Sequence, residues 1–120
     1  MVQNYDLRIS QKTVTHGGTG ENLIDSAVPK GMKRYITYIK YNNAGATQTI
    51  EVTDSPTTGD YHASGYATLD KQKLSGGDTI MFPDTPDPEK PIMSVEAEHY
   101  LVGYTDVDDS MNVTVQYYDE

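Results

Sequence analysis

The chain has 120 residues, nine basic and eighteen acidic side chains, a net charge of −9 and no cysteine. That length suits one domain over 1–120 with a single core, and the missing thiols exclude a disulfide framework, a thiolate nucleophile and a cysteine zinc site. Lys30, Lys33 and Arg34 are the one basic grouping beyond the pair Lys71 and Lys73, so neither nucleic acid nor an anionic membrane is expected as a partner.

No segment carries a helix-length apolar stripe, whereas one after another alternates or breaks like a β-strand. A first strand is expected over 5–15, closed by His16-Gly17-Gly18-Thr19-Gly20, and a second over 22–28, stopped by Pro29-Lys30-Gly31. The clearest strand, 33–41, leads into Asn42-Asn43-Ala44-Gly45, a hairpin signal because Asn and Gly tolerate positive φ, and 48–53 returns from it. Residues 54–60 read as a loop, and 61–69 as either a glycine-interrupted edge strand or irregular chain. After Ser75-Gly76-Gly77-Asp78 comes a strand over 79–82; the four prolines within 83–91 then make an extended, semi-rigid surface loop, since proline cannot join a central ladder. Strands over 92–95, 100–104 and 112–118 complete about eight. The class is therefore all-β, an antiparallel sandwich with Ile39, Val52, Ile80, Leu101, Val113 and Val115 in its core.

Strict alternation along the long strand puts Tyr35, Thr37, Ile39 and Tyr41 on the core face and Arg34, Ile36, Tyr38 and Lys40 on the other. That second face is apolar in its middle and charged at its ends, the profile of a subunit contact, although a lone exposed Ile and Tyr are also ordinary surface. Ten tyrosines, one phenylalanine and no tryptophan suit half-buried sheet faces and wet interfaces more than a dry core.

The sequence assembles no catalytic, metal or cofactor site, and no enzyme activity is expected. His16, His62 and His99 lie far apart without ligand spacing. The acidic stretch 106–112 alternates oxygen donors but lacks the turn glycine and bidentate Glu of a calcium loop, so it reads as an acidic hairpin. Asp84, Asp87 and Glu89 read as proline-stiffened surface. Gly17, Gly18 and Gly20 lack the lysine of a phosphate loop, no serine sits in a nucleophile elbow, and Glu96 with Glu98 reads as solvated charge rather than a glycosidase pair. Asn112-Val113-Thr114 matches a glycosylation triplet; without a signal peptide it is taken as chance. Neither a secretory signal nor an apolar run of membrane length is present, which gives as the default expectation a soluble protein made and kept in the cytoplasm or carried out by another route.

Three stretches carry a resemblance: Val28-Pro29-Lys30-Gly31-Met32-Lys33-Arg34-Tyr35-Ile36 feeding a long strand that ends in Asn42-Asn43; Leu74-Ser75-Gly76-Gly77-Asp78-Thr79-Ile80; and Tyr100-Leu101-Val102 followed by Asn112-Val113-Thr114-Val115-Gln116-Tyr117-Tyr118. From about Asn22 onward the chain resembles the small β-sandwich structural proteins of tailed bacteriophages and archaeal viruses, in particular auxiliary head or decoration proteins. The resemblance implies a jelly-roll-like core, a homo-oligomer with a trimer favoured, binding to a viral capsid protein, and a place in the virion after assembly in host cytoplasm. The alternative is a carbohydrate- or ligand-binding sandwich in which Tyr61, Tyr66 and the acidic loops make a calcium-assisted sugar site.

Overall fold

The computed structural model describes residues 5–15, 18–107 and 110–120. Among them the regular structure is entirely β, in nine strands: β1 (Arg8–Val14), β2 (Glu21–Asn22), β3 (Arg34–Asn43), β4 (Gln48–Ser55), β5 (Ala67–Leu74), β6 (Thr79–Phe82), β7 (Met93–Val95), β8 (Tyr100–Thr105) and β9 (Met111–Asp119). No described helix is long and apolar enough to cross a membrane.

The strands form two antiparallel sheets, one in the order β1-β9-β3-β6 with β7 also on β3, the other in the order β2-β8-β4-β5. β7 pairs with Arg34 to Ile36 and β6 with Ile39 to Asn42, so both run along the same edge of β3 with the proline-rich loop between them. Counted as one interrupted edge, they leave two four-stranded sheets face to face, the jelly-roll wrap. The core lies between the sheets: Ile39, Val52, Leu101, Val113 and Val115 are at most 1% exposed, with Leu23, Ile50 and Met111 equally enclosed. Ile80 packs against this core but is only partly buried, because β6 is an edge strand.

Two expectations need correction. The chain from Asn43 to Gln48 is not a hairpin, since β3 and β4 belong to different sheets and this turn carries the chain across the sandwich. Asn43, fully buried, holds the arch: its amide nitrogen donates to the carbonyls of Ala46 at 2.8 Å and Leu74 at 3.0 Å, and its oxygen accepts from Gly45 N at 3.1 Å and Gln48 Nε2 at 2.8 Å.

The second correction concerns the long strand. Its register against β9 slips between Ile36 and Tyr38, leaving Thr37 as the extra residue of a β-bulge. A single inserted residue flips the alternation. Before the bulge Arg34 and Ile36 point inward, 1% and 0% exposed; after it Ile39, Tyr41 and Asn43 do, and Tyr38 and Lys40 point outward. The expected patch of Arg34, Ile36, Tyr38 and Lys40 is therefore split between the two faces of the sheet.

Candidate ligand-binding site

The outer face of the second sheet carries a row set by register: Glu51 on β4 faces Tyr104 on β8 on one side and Lys71 on β5 on the other. The segment joining β4 to β5 folds back against this face. Tyr61 N donates to Thr19 O at 2.9 Å, Thr19 Oγ1 to Gly59 O at 2.8 Å, and Gly59 N to Asn22 Oδ1 at 2.8 Å, so the loop is tied to the chain around β2.

Those ties bring the loop's rings into a column. Tyr61 stacks on Tyr104 with centroids 3.9 Å apart, His62 on Tyr61 at 3.9 Å, and Tyr66 on His62 at 4.4 Å. Tyr66, at the column's far end, is 40% exposed.

Glu51 anchors the column to the sheet. Its side chain is 11% exposed, and its Oε2 lies 2.9 Å from His62 Nε2 and accepts from Thr68 Oγ1 at 2.9 Å. Lys71 Nζ stands 3.8 Å from Oε1. Burial pushes the carboxyl up, but the hydrogen bonds from His62 and Thr68 and the nearby charges of His62 and Lys71 outweigh it and hold Glu51 below the ordinary glutamate range. For the Tyr61 hydroxyl, burial and the Tyr104 hydroxyl act together, so its pKa is raised.

The row and the inner rings of the column, Tyr61 and His62, line a cleft of about 340 Å³ together with Asp106, whose Oδ1 accepts from Thr49 N at 2.7 Å. The cleft thus sets flat tyrosine rings beside a charged acceptor, Glu51 Oε1, and a charged donor, Lys71. Rings of this kind pack against apolar C–H faces, and charged acceptors and donors hold hydroxyls more strongly than neutral ones do.

The other sequence candidates lie elsewhere. Arg34 is enclosed, its Nε and Nη2 on Asp119 at 2.7 and 2.9 Å, its Nη1 on Ser26 O at 2.7 Å and its guanidinium 4.8 Å from the Tyr117 ring centroid. Ile36 is core, while Tyr38 and Lys40 face outward on the first sheet, opposite the cleft. His99 Nδ1 sits 2.6 Å from Asp54 Oδ1, fixing the β7–β8 turn, in which Glu96 N also donates to Asp54 at 3.1 Å and Glu98 takes a φ of 66°. Glu96 pairs with Lys33 at 3.5 Å. Asp87 Oδ1 accepts from Glu89 N at 3.0 Å within the proline-rich loop. Residues 16, 17, 108 and 109 lie outside the described residues, so His16, Gly17 and the middle of the acidic stretch have no structural account. Among the described residues no group of three or more His, Asp or Glu side chains is arranged to hold a metal.

Tyr61 and Tyr66 were legible as a candidate pair, but Glu51, His62 and Tyr104 were not. The available signal was three rings, Tyr61, His62 and Tyr66, in an otherwise polar loop, where no core can absorb them and they must stack on one another or on a sheet face.

No family model matches the sequence, and no curated protein matches it. Among solved structures the chain is similar to that of PirA, at 15% identity and a TM-score of 0.50, covering 98% of this chain and 96% of that one. At that identity the likeness concerns the fold, and it agrees with two antiparallel sheets packed as a sandwich.

Proposed function

We propose that this chain is a ligand-binding β-sandwich module that holds a neutral sugar in the cleft beside the aromatic column. The observation that carries the reading is the column itself: four stacked rings tied to a mostly buried carboxylate by the 2.9 Å contact of His62 with Glu51. A pyranose offers one face of C–H groups to the face of Tyr104 that Tyr61 does not cover, and a rim of hydroxyls to Glu51, Lys71 and Asp106. Two carboxylates against one ammonium favour a neutral sugar over an acidic one. The reading assigns no catalytic step and no calcium ion. Titration calorimetry against a panel of neutral oligosaccharides tests it: saturable binding that Tyr104→Ala abolishes supports the reading, and the absence of binding across the panel at millimolar sugar removes it.

The second reading is a non-enzymatic virion coat component that trimerises and reinforces a capsid. It is supported by apolar side chains left open on the outer face of the first sheet, with Ile9 67% and Met81 41% exposed beside Tyr38. Light scattering distinguishes the two. A trimer that Tyr38→Glu dissociates favours the coat role, and a monomer at micromolar concentration removes it.

A further inference from the structure

The outer face of the first sheet, on the opposite side of the sandwich, carries a different trough. Register lines up Gln11, Thr114 and Lys40 in one row across β1, β9 and β3, and Thr13, Asn112 and Asn42 in the next, with Thr79 beside Asn42 on β6. All of these but Thr79 border an opening of about 370 Å³, within the ~300–1,000 Å³ range of small-molecule sites.

The amides are held in fixed orientations. Thr13 Oγ1 donates to Asn112 Oδ1 at 2.8 Å, and Asn42 Nδ2 donates to Thr79 Oγ1 at 2.6 Å. Among the described residues this leaves the Asn112 Nδ2 donor and the Asn42 Oδ1 acceptor uncommitted, on directly paired positions of β9 and β3. Such a pair matches two neighbouring hydroxyls, one accepting and one donating.

At Thr114 the trough continues into a smaller cleft of about 180 Å³, bordered by Ile9, Tyr38 and Pro86. Apolar surface for a sugar ring thus lies next to fixed polar groups for its hydroxyls. No carboxylate borders either opening. Lys12 is committed to Asp25 at 2.5 Å, whereas Lys40 makes no ion pair among the described residues.

We propose that this trough is a second saccharide site, selective for an oligosaccharide carrying a single carboxylate, which Lys40 binds while Tyr38 packs the ring and Asn42 with Asn112 holds adjacent hydroxyls. The net charge of −9 does not forbid this, because charges beyond a Debye length of about 8 Å are largely screened at physiological salt, so Lys40 dominates locally. A polyanion would extend past that range and meet the acidic remainder of the chain, which is why one carboxylate fits and many do not. A second copy of the chain is the weaker occupant: subunit contacts place aromatic and apolar groups at their centre and deplete lysine, whereas the middle of this trough is amides, hydroxyls and Lys40.

Titration calorimetry with 3′-sialyllactose, its methyl ester and lactose tests the proposal. The free acid binds saturably, the ester and lactose bind roughly tenfold more weakly or less, and Lys40→Gln and Asn42→Ala each weaken the acid by roughly tenfold, as expected for loss of a charge-assisted or paired hydrogen bond. Tyr104→Ala leaves this affinity unchanged, which separates the trough from the cleft on the other sheet. Equal affinity for acid and ester overturns the proposal, as does binding that survives Lys40→Gln but fails in Tyr104→Ala, or no binding of the acid at millimolar concentration. An oligomer that Lys40→Glu dissociates also overturns it, by making the face a subunit contact.

Discussion

Tyr61 and Tyr104 lie 2° from parallel with centroids 3.9 Å apart, closer than the ~4.5–7 Å usual for aromatic pairs. The loop that carries Tyr61 is tied to Thr19 and Asn22, so the rings are set in place before any ligand arrives. A site arranged in advance loses less ordering entropy on binding than one assembled around its ligand. Tyr104→Ala removes the sheet-side ring and should weaken sugar binding at least tenfold, while the lost ring pair lowers stability by only about 0.5–1.5 kcal/mol beyond its buried area. Calorimetry and urea unfolding on the same variant check both parts; unchanged affinity would remove the cleft as the binding site.

Glu51 makes the same site sensitive to acid. Its pKa is lowered in the folded chain, so its contribution to stability is present above the unfolded value of about 4.3 and is lost as pH falls through the lower folded value. Glu51→Gln should therefore melt below wild type at about pH 7, with the gap closing below about pH 4 as the wild-type carboxyl takes up its proton. Paired thermal melts across that window measure the gap. A constant difference at every pH would mean that the contacts of Glu51 do not depend on its charge.

The arch between the sheets rests on one amide. Asn43→Ala takes one acceptor from the buried Gln48 Nε2, leaving it the longer 3.3 Å bond to Ser110 O, and takes the side-chain donor from the carbonyls of Ala46, Leu74 and Ser75, each loss at a buried group costing about 1–3 kcal/mol where no water can substitute. Asn43→Asp keeps the acceptor side but loses the donor to Ala46 and Leu74. Urea unfolding should rank the alanine variant at least about 2 kcal/mol below wild type, and a loss under about 0.5 kcal/mol would show that the arch does not depend on this residue.

The fold class and most strands were legible because β-branched and aromatic residues recur with period two between turn signals. What was hidden depended on long-range pairing. β5 runs Ala-Thr-Leu-Asp-Lys-Gln-Lys-Leu at the edge of its sheet, and only Leu74 is buried, so it carries little periodic signal. The Thr37 bulge is equally silent, since Arg34 to Tyr41 alternates without interruption and only the pairing with β9 reveals the extra residue. That single shift moved Arg34 and Ile36 from an expected interface into the interior. Of the aromatic column, two members could be read as a candidate pair, but Glu51 and Tyr104 join it through the register of β4, β5 and β8, which composition does not encode.

Arg34 and Asp119 are joined by two hydrogen bonds of 2.7 and 2.9 Å, pairing the start of β3 with the end of β9, and their side chains are 1% and 13% exposed. A surface ion pair of this length contributes little, but an enclosed one behaves differently when broken: removing the carboxylate leaves a guanidinium that cannot shed its charge, at a cost of about 3–5 kcal/mol. Ser26 O and the Tyr117 ring hold Arg34 in place, so the side chain cannot turn out to water without giving up those contacts too. Asp119→Ala should therefore lower stability by about 3–5 kcal/mol, whereas Asp6→Ala, which frees the exposed Arg8, should leave it nearly unchanged. The double variant Arg34→Met with Asp119→Leu removes both charges together and should recover most of the loss, because the expense lies in the stranded charge rather than in the absent attraction. Urea unfolding of the three proteins decides it, and a double variant no more stable than Asp119→Ala would show that the pair is needed for its geometry and not merely for mutual neutralisation.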